Sequence, residues 1–257
     1  MAHLVLITGA SSGIGQALAR YYLQRGWRVA LVARRSELIK TWLDADQISA
    51  DRYEFYSADV ADIDSMVACA AACMQRQGVP DVVVANAGIS MGVDSAQRED
   101  LEVMARILTT NVLGVAATFG PFISPMLSRG AGTLVGMASV AGIRGLPGHG
   151  AYCASKAAVI SYCESLRGEL RGSGVQVVTI CPGYIDTPLT QNNQYRMPFL
   201  MRPEQFAARA AQAISERASY RVIPWQMGVV AKLLRMLPNA LFDRLLSGRP
   251  RKPRQQS

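Results

Sequence analysis

Histidine is nearly absent from this sequence, with only His3 and His149 among 257 residues. A metal centre would have to be assembled from other ligands, and none is expected. Cysteine is sparse as well: Cys69, Cys73, Cys153, Cys163 and Cys181 make an odd set of five without framework spacing. That pattern excludes a disulfide scaffold and points to reduced thiols and a cytoplasmic setting. Cys69 and Cys73 lie one helical turn apart, a spacing more common for helix packing than for metal binding. No apolar run is read as reaching the ~18 residues needed to cross a bilayer. The N-terminal stretch His3–Thr8 is too short for a signal core. Acidic residues are also short, 19 against 27 Lys and Arg, which leaves a formal charge of +8. Much of that excess sits in Arg249, Arg251, Lys252 and Arg254. The charge therefore describes a basic tail and no nucleic-acid-binding face.

What is present is alternation. Short apolar runs at Leu4–Thr8, Val29–Ala33, Tyr53–Ala58, Asp81–Ala85, Thr133–Ala138, Val175–Cys181 and Tyr220–Pro224 read as seven strands. Amphipathic stretches at about 36–47, 62–77, 97–120, 151–171 and 203–217 read as helices, joined by one at Ile14, Ala17, Leu18 and Tyr21. Strand–helix alternation with near-continuous apolar strands predicts an α/β fold, a parallel seven-stranded sheet covered by helices on both faces. Residues 187–203 break the rhythm and are expected to form a substrate lid.

Three sites carry chemistry. Gly9, Ser11, Ser12, Gly13, Ile14 and Gly15 lie between the first strand and first helix. Glycine permits close backbone approach to a pyrophosphate, and a helix N-terminus favours anions. Arg34 and Arg35 follow the second strand, where an NAD site usually has a carboxylate. Guanidinium groups suit a 2′-phosphate, so NADP(H) is the expected cofactor. Tyr152 and Lys156 share one face of a helix at i and i+4. A neighbouring ammonium is expected to lower the tyrosine pKa, and Ser139 upstream could hold a carbonyl oxygen.

Together these residues resemble the short-chain dehydrogenase/reductase family, over about residues 4–224. The resemblance implies a Rossmann-like domain over 1–224 and a set of site residues. Asp59 and Val60 resemble the pair that brackets adenine. Ala85-Asn86-Ala87-Gly88 resembles the turn after the fourth strand, with alanine replacing its first asparagine. Asn111 matches the asparagine that holds a proton-relay water, and Ser139, Tyr152 and Lys156 match the remaining catalytic residues. Lys156 would also bond the nicotinamide ribose. Pro182, Gly183, Ile185 and Thr187 match the turn at the nicotinamide end. The family implies hydride transfer between NADP(H) and a carbonyl or alcohol, with Tyr152 as general acid/base. It also implies a homodimer or homotetramer. A non-catalytic NADP-binding sensor or scaffold is the alternative. An apolar substrate is expected from Met197, Phe199, Leu200 and Met201 of the lid and from the Leu146-Pro147-Gly148 loop.

Residues 225–257 are expected to form an amphipathic helical extension ending in the basic tail. Its first stripe is Val229, Val230, Leu233, Leu234 and Leu237; its second is Leu241, Phe242, Leu245 and Leu246. Three roles stay open: packing against the domain or a sister subunit, a flap over the substrate pocket, or peripheral contact with anionic membrane.

Overall fold

The structure is a computed structural model that describes residues 2–191, 193, 196–248 and 252–254. Arg249 and Arg251 of the basic tail, and Asn192 and Gln194 of the lid, lie outside the described residues. In chain order the first elements are β1 (Leu4–Thr8), α1 (Gly13–Gln24), β2 (Arg28–Ala33), α2 (Ser36–Ala45), β3 (Tyr53–Ser57), α3 (Ile63–Arg76) and β4 (Val82–Ala85). They continue through α4 (Arg98–Leu108), α5 (Gly114–Arg129), β5 (Gly132–Met137), α6 (Gly150–Glu169) and β6 (Val175–Pro182). The chain then forms α7 (Pro188–Gln191), α8 (Pro203–Ser215), β7 (Tyr220–Ile223), α9 (Trp225–Met236) and α10 (Asn239–Leu246).

Among the described residues the seven strands form one parallel sheet in the order β3-β2-β1-β4-β5-β6-β7. β1 is an inner strand, with Val5 opposite Val29 on one side and Val82 on the other. The strand order reverses between β1 and β4, the place where open α/β sheets bind ligands beyond their carboxyl ends. Burial on both faces explains the uninterrupted apolar strands: all five residues of β1 are buried. Because side chains alternate along a strand, Val5 and Ile7 join one core with α1, α2 and α8. Leu4 and Leu6 join the other core, with α3, α5 and α6. Cys69 and Cys73 belong to that second core, where burial raises their thiol pKa values to about 11 and about 12.

Three readings of the chain need correction. The helix expected at 97–120 continues to Arg129, through Pro121 and Pro125. Its halves meet in a π-helical turn, Thr109–Leu113. The whole segment Arg98–Arg129 is long and apolar enough to cross a membrane by composition, contrary to the expectation that no stretch is. It instead packs on α3, α6 and the sheet as a core helix. The C-terminal stripe is also misassigned. α9 buries Met227, Gly228 and Ala231, while Val229 and Leu233 face outward with Trp225 and Met236. In α10 only Phe242 is buried; Leu241 and Leu245 are exposed. The described part of the basic tail packs against the domain, one of the roles left open for it. Lys252 and Arg254 fold back onto the body of the protein.

Candidate active site

The site begins with two turns that lock together at the switch point. Gly9 and Gly13 have positive φ, 70° and 58°, which side-chain-bearing residues rarely adopt. A Cβ at Gly15 would stand 2.2 Å from the Gly9 carbonyl oxygen, and one at Gly9 would stand 2.9 Å from the Ala87 Cα. Glycine is therefore required where the β1–α1 turn meets the Asn86-Ala87-Gly88 turn. Thr8, which the motif reading passed over, fastens the two. Its buried Oγ1 accepts from the backbone N–H groups of Asn86 at 3.0 Å and Ala87 at 3.1 Å. The Asn86 Nδ2 donates back to the Thr8 carbonyl at 2.9 Å. Only the presence of threonine at a strand end could have signalled this role.

α1 opens at these turns with an unusual N-terminus. Ser12 occupies the cap position without a side-chain cap bond, and the first turn holds no acidic residue. Its orphan N–H groups and positive dipole end are left for an anion. This bare terminus and the glycine cradle fit the pyrophosphate of a dinucleotide.

A cavity of about 720 Å³ extends from this turn across the carboxyl ends of the strands. That volume suits a ligand of drug or cofactor size. It is lined at one end by Arg34, Arg35, Asp59 and Val60, and centrally by Gly9, Ser11, Ser12, Gly13, Ile14, Asn86, Ala87 and Gly88. Ser139, Tyr152, Lys156, Pro182, Gly183, Ile185 and Thr187 line the far part. Thus most of the candidate residues, scattered through the chain, line one cavity. Gly15 stands behind the turn, and Asn111 is fully buried away from the cavity. Arg34 and Arg35 are both exposed, and Arg34 lies 3.6 Å from the Asp59 carboxylate.

Ser139 is placed by the short helical turn Val140–Gly142, where the Ala141 N–H donates to its Oγ at 3.1 Å. A Cβ at Gly142 would meet the backbone of Lys156 and Ala157 at 2.7–2.8 Å. That close approach sets the serine turn directly against α6, which carries Tyr152 and Lys156. The Lys156 Nζ is buried, donates to the Met137 carbonyl at 2.8 Å and sits 5.7 Å from the Tyr152 ring centre.

Electrostatics here differ from expectation. Burial pushes the Tyr152 phenol up to about 12, against a smaller lowering influence from Ser139. Burial pushes Lys156 down to about 8. The lysine is not among the groups that move the tyrosine: with its pKa at about 8 it is neutral before a phenol at about 12 ionises. Asn111 is committed to structure through its side chain. It receives the Ile89 N–H at 2.8 Å and donates to the Ile89 carbonyl at 2.9 Å and Ser155 Oγ at 3.0 Å.

The substrate end of the cavity was only partly legible. Leu146 lines it, but Met197, Phe199, Leu200 and Met201 do not. Phe199 and Leu200 are exposed, while Met201 is buried through a bridge to Ile185. The 187–203 segment instead contributes Leu189, Thr190, Asn193, Arg196 and Pro198. His149 and Lys252 complete this end with Met227, Ala231, Leu234 and Leu246 of α9 and α10. The C-terminal extension therefore forms part of the cavity wall.

Residues 3–197 match the family described as short chain dehydrogenase. An uncharacterized oxidoreductase of Myxococcus xanthus is 40% identical over 238 residues, covering 93% of this chain and 94% of its own. The 2-(R)-hydroxypropyl-CoM dehydrogenase of Xanthobacter autotrophicus is 36% identical over 194 residues, covering 74% and 78%. Among solved structures, an actinorhodin polyketide ketoreductase variant with NADPH superposes with a TM-score of 0.78 at 28% identity, covering 86% of this chain and 95% of that one. With this match and this geometry, the chain belongs to the short-chain dehydrogenase family, oxidoreductases that use nicotinamide cofactors on alcohol- or ketone-type substrates.

Proposed function

We propose that the protein is an NADP(H)-dependent carbonyl reductase or alcohol dehydrogenase, with Tyr152 as its general acid/base. The observation that carries this reading is the convergence of Ser139, Tyr152 and Lys156 on the cavity that begins at the glycine cradle. A bound NADP(H) would supply the hydride; the chain supplies position and protons. Arg34 and Arg35 would grip the 2′-phosphate at one end. Arg34 and Asp59 lie 3.6 Å apart and both line that end of the cavity.

At the other end Ser139 orients the substrate oxygen. Its hydroxyl makes a weak 3.5 Å contact to the Pro182 carbonyl and also interacts with the Tyr152 phenol, so its hydrogen can turn to a substrate oxygen beside that phenol. Tyr152, held protonated at neutral pH, donates its proton to that oxygen during reduction. Lys156 keeps two hydrogens beyond the one given to Met137, and these would serve the ribose of a bound cofactor. Asn111 is a positioning residue that ties Ile89 to α6. A proton relay at Asn111 would run over its backbone carbonyl, since both side-chain amide hydrogens are taken.

The test is oxidation of NADPH and NADH followed against a panel of ketones graded by chain length and charge. Turnover with NADPH favoured is the expected result. Tighter binding and faster use of NADH would overturn the cofactor assignment. Cofactor binding without turnover on any carbonyl or alcohol would favour the sensor reading.

A further inference from the structure

The end of the chain builds one corner of the cavity. Gly92 forms a parallel bridge with Arg254, and its N–H donates to the Pro253 carbonyl at 3.1 Å. A Cβ at Gly92 would lie 2.1 Å from the Lys252 carbonyl oxygen, so this approach demands glycine. Arg254 then clamps the strap. Its Nε and Nη2 donate to the two Asp100 oxygens at 2.7 and 3.1 Å, a forked, charge-assisted pair on a buried carboxylate of α4. Asp100 also accepts the Asp94 N–H at 2.6 Å.

This anchoring places Lys252 inside the cavity, where it is 9% exposed. Its Nζ donates to Ser90 Oγ at 3.0 Å and to the Leu189 carbonyl at 3.1 Å. Both acceptors are neutral. Among the described residues no carboxylate pairs with it, and the only influence on its titration is burial, which lowers its pKa. Buried ammonium groups normally have a counter-charge. The facing His149 is also disfavoured as a cation, first by its own burial and then by the Lys252 charge. Arg144, on the same wall, is already engaged by Leu234, Leu237, Asn239 and the Phe242 ring. Arg196 sits at the exposed rim.

We propose that Lys252 is a specificity residue that selects substrates bearing a carboxylate, which takes the third Nζ hydrogen and supplies the missing negative charge. One charge and one open donor match a monoanion. The surrounding Leu189, Met227, Ala231, Leu234 and Leu246 would hold an apolar chain between that carboxylate and the reacting carbon. The substrate class is thus a keto or hydroxy acid. This rests on the oxidoreductase reading above.

The experiment measures binding separately from turnover. The full chain with NADPH is titrated with straight-chain carboxylates from acetate to decanoate and with the matching primary amides, read by cofactor fluorescence. The best carboxylate should bind about tenfold to a hundredfold more tightly than its amide. Lys252→Met should erase that preference, and Lys252→Arg should retain part of it. Arg254→Ala, which unhooks the strap but keeps the ammonium, should weaken it. Equal binding of acid and amide, no carboxylate binding at any length, or a preference that survives Lys252→Met would overturn the proposal. Carboxylate binding that depends on Lys252, without turnover of any keto or hydroxy acid, would count against the oxidoreductase reading and leave the Lys252 assignment standing.

Discussion

At Tyr152 and Lys156 the same burial acts in opposite directions, because one group is neutral when protonated and the other is charged. The phenol rises to about 12 and the ammonium falls to about 8. Tyr152→Phe removes the proton that the proposed reduction consumes. Turnover should fall about 10²–10⁴-fold, while fluorescence titration still detects cofactor binding. Lys156 has a linkage consequence in the cofactor-free protein. Its folded pKa lies below the unfolded value, so the unfolded state binds more protons between about pH 8 and the ordinary lysine range. Stability from this group therefore rises as pH rises through that window, and the buried charge costs most below it. Thermal melts at several pH values should show wild type gaining on Lys156→Met between pH ~7 and ~10, by several degrees where 1 kcal/mol is worth about 2–4 °C. A constant difference between the two across that range would contradict it. At this scale Gly9, Gly13, Arg34, Arg35, Ser139, Tyr152 and Lys156 were legible because each sits in a short, local motif. Thr8 and Lys252 were not, because a single threonine or tail lysine has no local signature. Their meaning comes from partners 78 and 162 residues away.

Elements show where local pattern succeeds and where packing overrides it. Strand runs read correctly; in the inner strands burial on both faces demands uninterrupted apolar residues, while the edge strands β3 and β7 are only partly buried. The α4–α5 segment did not, because Pro121 reads as a stop while the neighbouring sheet and α3 hold the helix together past it. The stripe on α9 failed for a related reason: several apolar faces compete, and the body of the protein chose Met227, Gly228 and Ala231. Glycines divide the same way. Gly15→Ala places a Cβ 2.2 Å from the Gly9 oxygen, so it should lower stability by about 1–3 kcal/mol and weaken cofactor binding. Gly168→Ala lies in the exposed last turn of α6 with nothing within 4 Å. It should raise stability by about 0.5–1 kcal/mol through helix propensity alone. Denaturant melts of the two variants would separate a required close approach from an incidental glycine; equal effects would refute the distinction.

Over the whole molecule, the Arg254–Asp100 pair ties positions 154 residues apart and makes the chain's end part of the site. The Asp100 carboxyl is held below its usual range, first by Arg254 and then by the Asp94 N–H. That contribution is present above the ordinary carboxylate pKa and is lost as pH falls through the lowered folded value. Asp100→Asn should therefore free the strap at neutral pH, seen as faster tryptic cleavage near the C-terminus than in wild type. Unchanged cleavage would mean the strap is held by Gly92 and Lys252 alone. The seven-strand alternation, the glycine turn and the Tyr152–Lys156 spacing were determined by sequence alone, since each is a short-range pattern with one low-energy local structure. The reversal of strand order that joins the two turns, the opposite titration of Tyr152 and Lys156, and the delivery of Lys252 to the cavity were decided only by the tertiary structure. Those properties depend on which distant groups share a desolvated space, and that is a product of packing, not of neighbouring residues in the chain.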